Sequence, residues 1–349
     1  MVKVIAIMGA TGKQGGATVR AFNALKESGN SEYKLRAITR DPSSKKAKAI
    51  ESLVDEVVKA DAKDRDSMVK AFRGCYGVFV VSNFWEDMNV HSEMEALRCC
   101  KEALKQNGYI NHIVLSSFED SRVAINSAAN KDTWKPLEGQ EKTGMYVDHI
   151  DGKGEVQTEF EKEGLYVTSL YTSFYYENFI DFGMGPSRQS DRDPYAITFP
   201  IDDVKLPMVA VSDIGKAVCA IFQEGSSLIG KTVGIMSENL SGQEIADTFT
   251  KVCGEEVVFN NVPWHVYASF GFPGADGLAN MFRYEVEHIE AFTKPRVVSN
   301  NIKKLMGGLT SFESWVIENK GAFQLEPKNI EQPVEAKPEP AEANCCTVL

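Results

Sequence analysis

The 349-residue sequence lacks the features that would assign it to a membrane-spanning, metal-binding or nucleic-acid-binding class. No apolar run is long enough to cross a bilayer, and no two of the seven cysteines form the C-x-x-C pair typical of metal sites. Basic side chains are in deficit, since 38 Lys and Arg stand against 49 Asp and Glu, for a formal charge of −11. Because phosphate backbones are bound by clustered Lys and Arg, this balance argues against general nucleic-acid binding. The opening "VKVIAIMG" is too short for a signal peptide, so we expect a reduced, cytoplasmic protein.

Short apolar runs alternate with amphipathic stretches through the first half of the chain. The runs "KVIAIMG", "KLRAITR", "GVFVVSN", "HIVLSSF" and "LYVTSLY" have the length and composition of buried strands. This alternation predicts an α/β fold with a Rossmann-type, doubly wound parallel sheet. After Tyr171 the rhythm changes, and a capping box formed by Ser241 and Glu244 marks the start of another helix.

These changes in pattern divide the chain into three predicted segments. Residues 1–170 are predicted to form a dinucleotide-binding Rossmann domain, which is completed by about residues 205–225. Residues 171–324 are predicted to form mainly a smaller C-terminal α/β lobe. Residues 325–349 are rich in Pro, Glu and Ala and cannot bury enough apolar surface to fold, so they are expected to be a disordered tail.

The stretch "IAIMGATGKQGGATVRAF" places Gly9, Gly12 and Gly15 between a predicted strand and a predicted helix. In such a turn the first glycine permits a tight bend, and the second lets the backbone approach a pyrophosphate. The third allows the helix to pack close to the sheet, and the N–H groups at the helix start attract the anion. The sequence therefore predicts a dinucleotide site, with a plain tight turn as the alternative.

The residues after the second predicted strand select the dinucleotide. NAD sites usually end this strand with an acid that binds the ribose diol, but "AITRDPSSKK" has Thr39 there and Arg40 next. Because a guanidinium suits a 2′-phosphate, the pattern favours NADP(H). Asp41 keeps NAD open as an alternative, and Lys45 and Lys46 also fit a solvated helix face.

Several longer motifs carry a family resemblance. They are the glycine loop, "TRDP", "VSNFWE", "HIDGKGEVQ", "YYENF", "VSDIGKAV", "GFPGADGLANMFR" and "SFESWVIENKGAF". Together they resemble the NmrA-like branch of the atypical short-chain dehydrogenases from about residue 3 to 325, and the last two motifs are specific to its NADPH-sensing subgroup. The resemblance implies an NADP-binding Rossmann domain, a smaller C-terminal lobe, a conformation that depends on the cofactor ratio, and regulatory protein partners. A homodimer is left open.

Matching motifs assign the family's cofactor positions to this sequence. The loop would hold the pyrophosphate, Asp61 would lie near the adenine or else cap the following helix, and Lys153 would bind the nicotinamide ribose. The implied positions are Gly9, Ala10, Thr11, Gly12, Lys13, Gln14, Gly15, Arg40, Asp61, Ala62, Ser82, Asn83, Phe84, Lys153, Tyr175, Tyr176, Glu177 and Asn178. One departure is Glu95, which stands where the subgroup carries a cofactor-linked lysine, so that helix is expected to contribute less to binding.

Catalysis in short-chain dehydrogenases needs a tyrosine four residues before the lysine on one helix face. Here that position is His149, and Tyr146 lies seven residues before Lys153, about two turns away if the whole segment is helical. Ser116 occupies a position where such enzymes often place a serine, although a strand-end serine more often caps the backbone. The usual acid is therefore missing.

Two function classes remain, besides a partner-binding scaffold with a vestigial nucleotide site. In the first, a regulatory sensor uses NADP(H) as a ligand and needs no catalytic residue. In the second, an oxidoreductase uses Lys153 or His149 as the proton donor. His149 suits this role because a histidine has an ordinary pKa of about 6.5. The alternative for His149 is an ordinary histidine at a helix start.

The sequence ends in "NCCTVL", which places Cys346 in a C-a-a-X box of the geranylgeranyl type. A single prenyl chain binds membranes weakly, so stable peripheral attachment would need a second signal. Cys345 is the candidate for S-acylation, since residues 325–344 carry five Glu and two Lys and lack a basic stretch. We expect partial membrane association, with an unmodified tail as the alternative.

Overall fold

The computed structural model describes residues 2–29, 32–108, 110–135, 144–188, 190 and 193–326. Their strands are β1 (Lys3–Ile7), β2 (Tyr33–Thr39), β3 (Glu56–Lys59), β4 (Gly77–Val80), β5 (His112–Ser117), β6 (Val167–Tyr171), β7 (Phe174–Tyr175), β8 (Tyr195–Phe199), β9 (Leu206–Val209), β10 (Thr232–Gly234), β11 (Glu238–Leu240) and β12 (Val257–Asn261).

Helices connect these strands. They are α1 (Lys13–Glu27), α2 (Lys45–Ile50), α3 (Arg65–Phe72), α4 (Val90–Asn107), α5 (Ser121–Ser127), α6 (Asp148–Lys162), α7 (Asn178–Asp181), α8 (Val211–Glu224), α9 (Gly242–Cys253), α10 (Trp264–Ala268), α11 (Ala275–Glu287), α12 (Ile289–Thr293), α13 (Asn300–Leu305) and α14 (Phe312–Asn319). Among the described residues, no helix is both long enough and apolar enough to cross a bilayer.

Seven parallel strands form the main sheet, in the order β10-β6-β5-β4-β1-β2-β3. The chain runs outward from β1 to β3, returns to the centre, and continues from β4 in the opposite direction. The predicted doubly wound Rossmann-type sheet is confirmed. A crevice opens where the order reverses, beyond the carboxyl ends of β1 and β4, which is where ligands bind in open α/β sheets.

Helices cover both faces of this sheet. On one face, Phe22 of α1 packs against Phe222 of α8. On the other face, a separate apolar cluster joins Phe72 of α3, Leu97 of α4 and Phe160 of α6. Since α8 and β10 come from the second half of the sequence, the chain returns to the main sheet after it has begun the smaller lobe.

The smaller lobe combines short sheets with helices, so the predicted C-terminal α/β lobe is also confirmed. Strands β11, β9 and β7 form one sheet, and β12 pairs with β8. Its core is rich in phenylalanine, with Phe179, Phe249 and Phe312 in mutual ring contact. The predicted capping box is present, because Ser241 and Glu244 exchange side-chain and backbone hydrogen bonds at the start of α9.

The predicted disordered tail begins two residues before the end of the described chain. The Glu326 N–H donates a 2.9 Å hydrogen bond to the Tyr195 hydroxyl, so the folded lobe extends to residue 326. The remaining residues of the tail, with Cys345 and Cys346, lie outside the described residues.

Helices α1 and α8 pack at a distance that only glycine permits. A Cβ atom added to Gly215 would lie 2.3 Å from the carbonyl carbon and oxygen of Ala17. Real Cβ atoms do not approach backbone atoms this closely, so any side chain at this position would force α8 away from α1. This contact fixes the helix that begins at the glycine loop.

We expect Gly215→Ala to lower the free energy of unfolding by about 1–3 kcal/mol, the typical cost of overpacking. The matched control is Gly277→Ala in α11, where an added Cβ would meet nothing within 4 Å. Because alanine favours helix over glycine, that control should be neutral or more stable by up to about 1 kcal/mol. Urea denaturation of both variants measures the difference, and equal stabilities would contradict the proposed contact.

Candidate functional site

The glycine loop between β1 and α1 has the geometry of an anion cradle. Gly9 has a φ of +56°, a left-handed conformation that favours glycine. A Cβ atom on Gly15 would lie 2.2 Å from the Gly9 carbonyl oxygen, so α1 starts in direct contact with the loop. The N-cap residue Gly12 provides no side-chain cap, and the first turn of α1 contains no acid. The first N–H groups of α1 are thus open to an anionic ligand.

Two side chains at the start of α1 connect the loop to the smaller lobe. Gln14 Nε2 donates a 2.7 Å hydrogen bond to the Tyr175 hydroxyl, and Lys13 Nζ lies 2.6 Å from Asp181 Oδ2. The Gln14 Oε1 atom is buried without a hydrogen-bond partner among the described residues. A buried amide oxygen without a donor is costly, so this atom is suited to accept a hydrogen bond from a bound group.

The side chains of residues 175–178, the segment predicted to cover the nicotinamide, point in different directions. Tyr175 faces the glycine loop through its bond to Gln14. Tyr176 is fully buried and packs against two aromatic rings of α14, so its side chain lies in the core of the smaller lobe. Glu177 accepts the backbone N–H of Val211 at 3.0 Å, and Asn178 begins α7. Of these four side chains, Tyr175 is the one held at the crevice by a hydrogen bond to the loop.

Arg40 lies at the opposite end of the crevice, just after β2, with 63% of its side chain exposed. Its guanidinium donates a hydrogen bond to the carboxylate of Glu86, and this bond raises the pKa of Arg40 above its ordinary value. The neighbouring Asp41 carboxylate accepts from the backbone N–H and the hydroxyl of Ser43, at 2.9 and 2.6 Å. Arg40 is therefore exposed beside the crevice, while Asp41 is engaged in a local turn.

Asp61 and the half-buried Ala62 follow β3 near this end of the crevice. Asp61 accepts a hydrogen bond from the N–H of Lys63 at 2.9 Å, whereas the N-cap of α3 is Asp64. The alternative that Asp61 caps the following helix is therefore wrong. The hydrogen bond to Glu86 is the main cause of the raised pKa of Arg40, and the charge of Asp61 adds to it.

A buried ion pair occupies the centre of the crevice. Lys153 Nζ lies 2.7 and 2.9 Å from the two carboxylate oxygens of Glu93, with side chains 9% and 2% exposed, and donates to the His149 carbonyl at 3.1 Å. Ser82, at the end of β4, donates its hydroxyl to Glu93 at 2.7 Å. Glu95 is exposed. The α4 side chain that lies against Lys153 is therefore Glu93. The smaller contribution of α4 to binding, expected from Glu95, stays a prediction.

The histidine before Lys153 is enclosed by aromatic rings. Its ring centroid lies 5.5, 5.2 and 6.5 Å from those of Phe84, Trp85 and Phe118. Burial, together with the charge of Lys153, lowers the pKa of His149 to about 3. The imidazole is therefore neutral at pH 7, which argues against its use as a protonated acid.

Neither Tyr146 nor Ser116 completes a catalytic set. Helix α6 begins at Asp148, so Tyr146 precedes it and does not lie on the same helix as Lys153. The Tyr146 hydroxyl lies 3.4 Å from Asn126 Oδ1. Ser116 is buried within β5, and it is Ser117 that contacts α6, through a 3.2 Å hydrogen bond to the Lys153 carbonyl.

Residues 82–86 bring several groups to the crevice, some of which the sequence did not reveal. Asn83 is exposed and Phe84 is buried against His149. Trp85, which sequence reasoning missed, contacts both His149 and Phe182, with centroids 5.2 and 5.8 Å apart. We call Phe84, Trp85, Phe118 and Phe182 the aromatic wall.

Glu86 and Glu93 were also missed, although the sequence contains a signal for one of them. Glu93 lies three residues after Val90 and four before Leu97, so it falls on the apolar stripe of α4. A carboxylate in that position requires a buried cation. Nothing local in the sequence signals that Glu86 meets Arg40, since the two are 46 positions apart.

We expect Glu93→Ala to lower the free energy of unfolding by about 3–5 kcal/mol, because it leaves the Lys153 ammonium buried without its partner. The double variant Glu93→Ala/Lys153→Met should lose less than the sum of the single changes. Glu313→Ala is the control, since its 2.7 Å pair with Lys251 is exposed and should contribute about 1 kcal/mol or less. Additive single changes in urea denaturation would show that the pair is not coupled.

Comparison with known proteins gives a consistent picture. The oxidoreductase malD of Malbranchea aurantiaca, an NmrA-like family domain-containing protein, is 30% identical over 262 residues, which cover 73% of this chain and 74% of malD. The solved structure of NmrA, a negative transcriptional regulator, matches with a TM-score of 0.73 at 19% identity and covers 93% of this chain and 99% of NmrA. Other NmrA structures hold NAD or NADP.

A second solved structure, the NADPH-dependent quinone oxidoreductase of Escherichia coli with NADPH, matches with a TM-score of 0.64 at 19% identity. It covers 91% of this chain and 99% of that protein. The family model of the NmrA-like family matches residues 1–316. Because this match spans most of the sequence, the chain belongs to the NmrA-like family.

Proposed function

We propose that this protein binds NADP(H) and acts as a regulatory redox sensor rather than as a dehydrogenase. The observation that carries this proposal is the pairing of Lys153 with Glu93 beside a neutral, buried His149. A classical short-chain dehydrogenase has a tyrosine four residues before the lysine, here position 149, which shares a proton with the substrate, and the lysine supports that acid. Here the lysine is held by a carboxylate, and the histidine is not protonated at neutral pH.

The residues of the crevice fit a nicotinamide dinucleotide. The N–H groups at the start of α1 would hold the pyrophosphate, since Gly12 offers no side-chain cap and the first turn of α1 contains no acid. Gln14 Oε1 offers an unused acceptor, and Arg40 offers charged donors suited to a 2′-phosphate. The NmrA complexes with NADP and NAD support this assignment for the shared fold. When bound, such a cofactor supplies or accepts a hydride.

The site retains a lysine suited to cofactor binding but lacks the dehydrogenase tyrosine, which favours a regulatory role. Lys153 would still donate a hydrogen bond to a ribose hydroxyl, because binding does not require its proton to leave. NmrA, whose fold this chain shares, is described as a negative transcriptional regulator. We infer that a regulatory protein partner recognises the cofactor-dependent state of this chain.

An NADPH-dependent oxidoreductase is the second candidate, favoured by the aromatic wall. Phe84 and Trp85 lie against His149, and Phe118 lies beside Lys153. Flat apolar substrates stack on such rings. The relative malD is named an oxidoreductase, and the Escherichia coli neighbour acts on quinones. In this alternative the Lys153 ammonium donates the proton, which requires separation from Glu93.

Separate titrations of NADPH and NADP+, combined with a turnover assay on the same preparation, distinguish the two candidates. A sensor binds the cofactor without steady NADPH consumption across a panel of quinones and aldehydes. Robust turnover that is abolished by Lys153→Ala would overturn the sensor proposal and establish the lysine-only enzyme. Failure to bind either dinucleotide would overturn both candidates.

We expect Arg40→Ala to weaken NADPH binding by about 1.5–3 kcal/mol, the range for hydrogen bonds to charged groups, and to leave NADH binding nearly unchanged. The reason is that NADH lacks the 2′-phosphate that the guanidinium would bind. Arg65→Ala is a matched control, because Arg65 is similarly exposed, at 58%, and has a loose 3.5 Å pair with Asp66. Isothermal titration measures all affinities, and equal losses for both cofactors would refute NADP(H) selection by Arg40.

A further inference from the structure

Arg40 already has an ion-pair partner within the protein. Its guanidinium Nη1 donates to Glu86 Oε1, and both side chains are largely exposed, at 63% and 48%. The two residues reach the same point from different elements, since Arg40 follows β2 and Glu86 ends the 3-10 turn Phe84–Glu86 after β4. These strands flank β1 on either side, so the ion pair bridges the crevice at its adenosine end.

A carboxylate and a phosphate compete for the same donors of a guanidinium. We propose that Glu86 is a cofactor-specificity residue, whose carboxylate occupies Arg40 in the free protein and is displaced by the 2′-phosphate of NADP(H). This inference rests on the proposed function, because it takes Arg40 as the 2′-phosphate ligand. Each NADP(H) molecule must break the Arg40–Glu86 pair and tolerate a nearby negative charge, whereas NAD(H) leaves the pair intact.

The surroundings of Glu86 allow this exchange. Its neighbour Asp87 is held in place by Ser92 and Lys63, at 2.6 and 3.4 Å, while Glu86 is exposed at the end of its turn. On the other side of Glu86, Trp85 packs against the His149 ring. The Glu86 side chain can therefore swing away from Arg40 without displacing the aromatic wall or the Asp87 anchor.

The test compares Glu86→Gln with the wild-type protein in titrations with NADPH and NADH. Since exposed ion pairs contribute about 0.2–1 kcal/mol, removal of the competing charge should tighten NADPH binding by about 1.4- to fivefold. NADH affinity should not change. Asp87→Asn is the matched control, because it removes the same charge from the adjacent residue without freeing Arg40, and it should leave the ratio of NADPH to NADH affinity unchanged.

A double-mutant cycle isolates the interaction. In an Arg40→Ala background, Glu86→Gln should no longer tighten NADPH binding, since the guanidinium for which the two anions compete is gone. Persistence of the full effect in that background would overturn the proposal. An equal gain from Asp87→Asn would also overturn it, because the effect would then be one of general charge.

The remaining outcomes separate this inference from the function on which it rests. If Arg40→Ala selectively weakens NADPH but Glu86→Gln changes nothing, the specificity role of Glu86 is wrong and NADP(H) selection by Arg40 stands. If Glu86→Gln weakens NADH, Glu86 binds the ribose diol rather than competing for Arg40, and the proposal fails. If neither variant alters the preference for NADPH over NADH, the assignment of the 2′-phosphate site itself is wrong.

Discussion

The buried ion pair between Lys153 and Glu93 determines the centre of the crevice. Two charges with almost no exposed surface must satisfy each other, because either one alone would carry a large desolvation cost. Their contact fixes α4 against α6, and the hydroxyl of Ser82 ties the same carboxylate to the end of β4. The pair thereby fixes the relative positions of α4, α6 and the end of β4, beside the point where the strand order reverses.

The same pair shapes the chemistry of the residues around it. Burial, with the Lys153 charge added to it, lowers the pKa of His149, so the imidazole beside Lys153 is uncharged at neutral pH. The ammonium also lies 5.9 Å from the centroid of Phe118, within reach of a cation–π attraction. The crevice thus has a buried, aromatic centre around a neutralised charge and an exposed, charged end around Arg40.

The sequence predicted the features that arise from local constraints. The strand pattern follows from short apolar runs, and the glycine loop follows from backbone geometry that few other residues could adopt, as the φ of Gly9 and the contact of Gly15 demonstrate. Features that depend on distant pairing were not accessible. The partner of Arg40 is set by where β4 lies in the sheet, and the side of α4 that meets Lys153 is set by helix rotation, which distinguishes Glu93 from Glu95.

Element boundaries and side-chain directions account for the other differences. The motif around Tyr175 and Tyr176 gives no indication that the first faces the loop and the second the core. Which of two consecutive side chains faces the loop is set by how the segment packs in the fold. Likewise the start of α6 at Asp148 depends on Asp151, whose carboxylate accepts the N–H groups of Tyr146 and Val147. A sequence pattern alone cannot show that this buried acid ends the preceding loop.

A sensor of the oxidation state must bind the oxidised and reduced cofactors with different affinities, because only differential affinity can shift a population. The 2′-phosphate is the same in both forms, so in the proposed function Arg40 and Glu86 would select NADP(H) over NAD(H) but not one oxidation state over the other. That discrimination has to arise at the nicotinamide, whose ring is cationic when oxidised and neutral when reduced. If the nicotinamide lies beside Lys153 as proposed, the charges of Lys153 and Glu93 largely cancel there. The aromatic wall would then distinguish the two rings, since a cationic ring is attracted to aromatic faces more strongly than a neutral one.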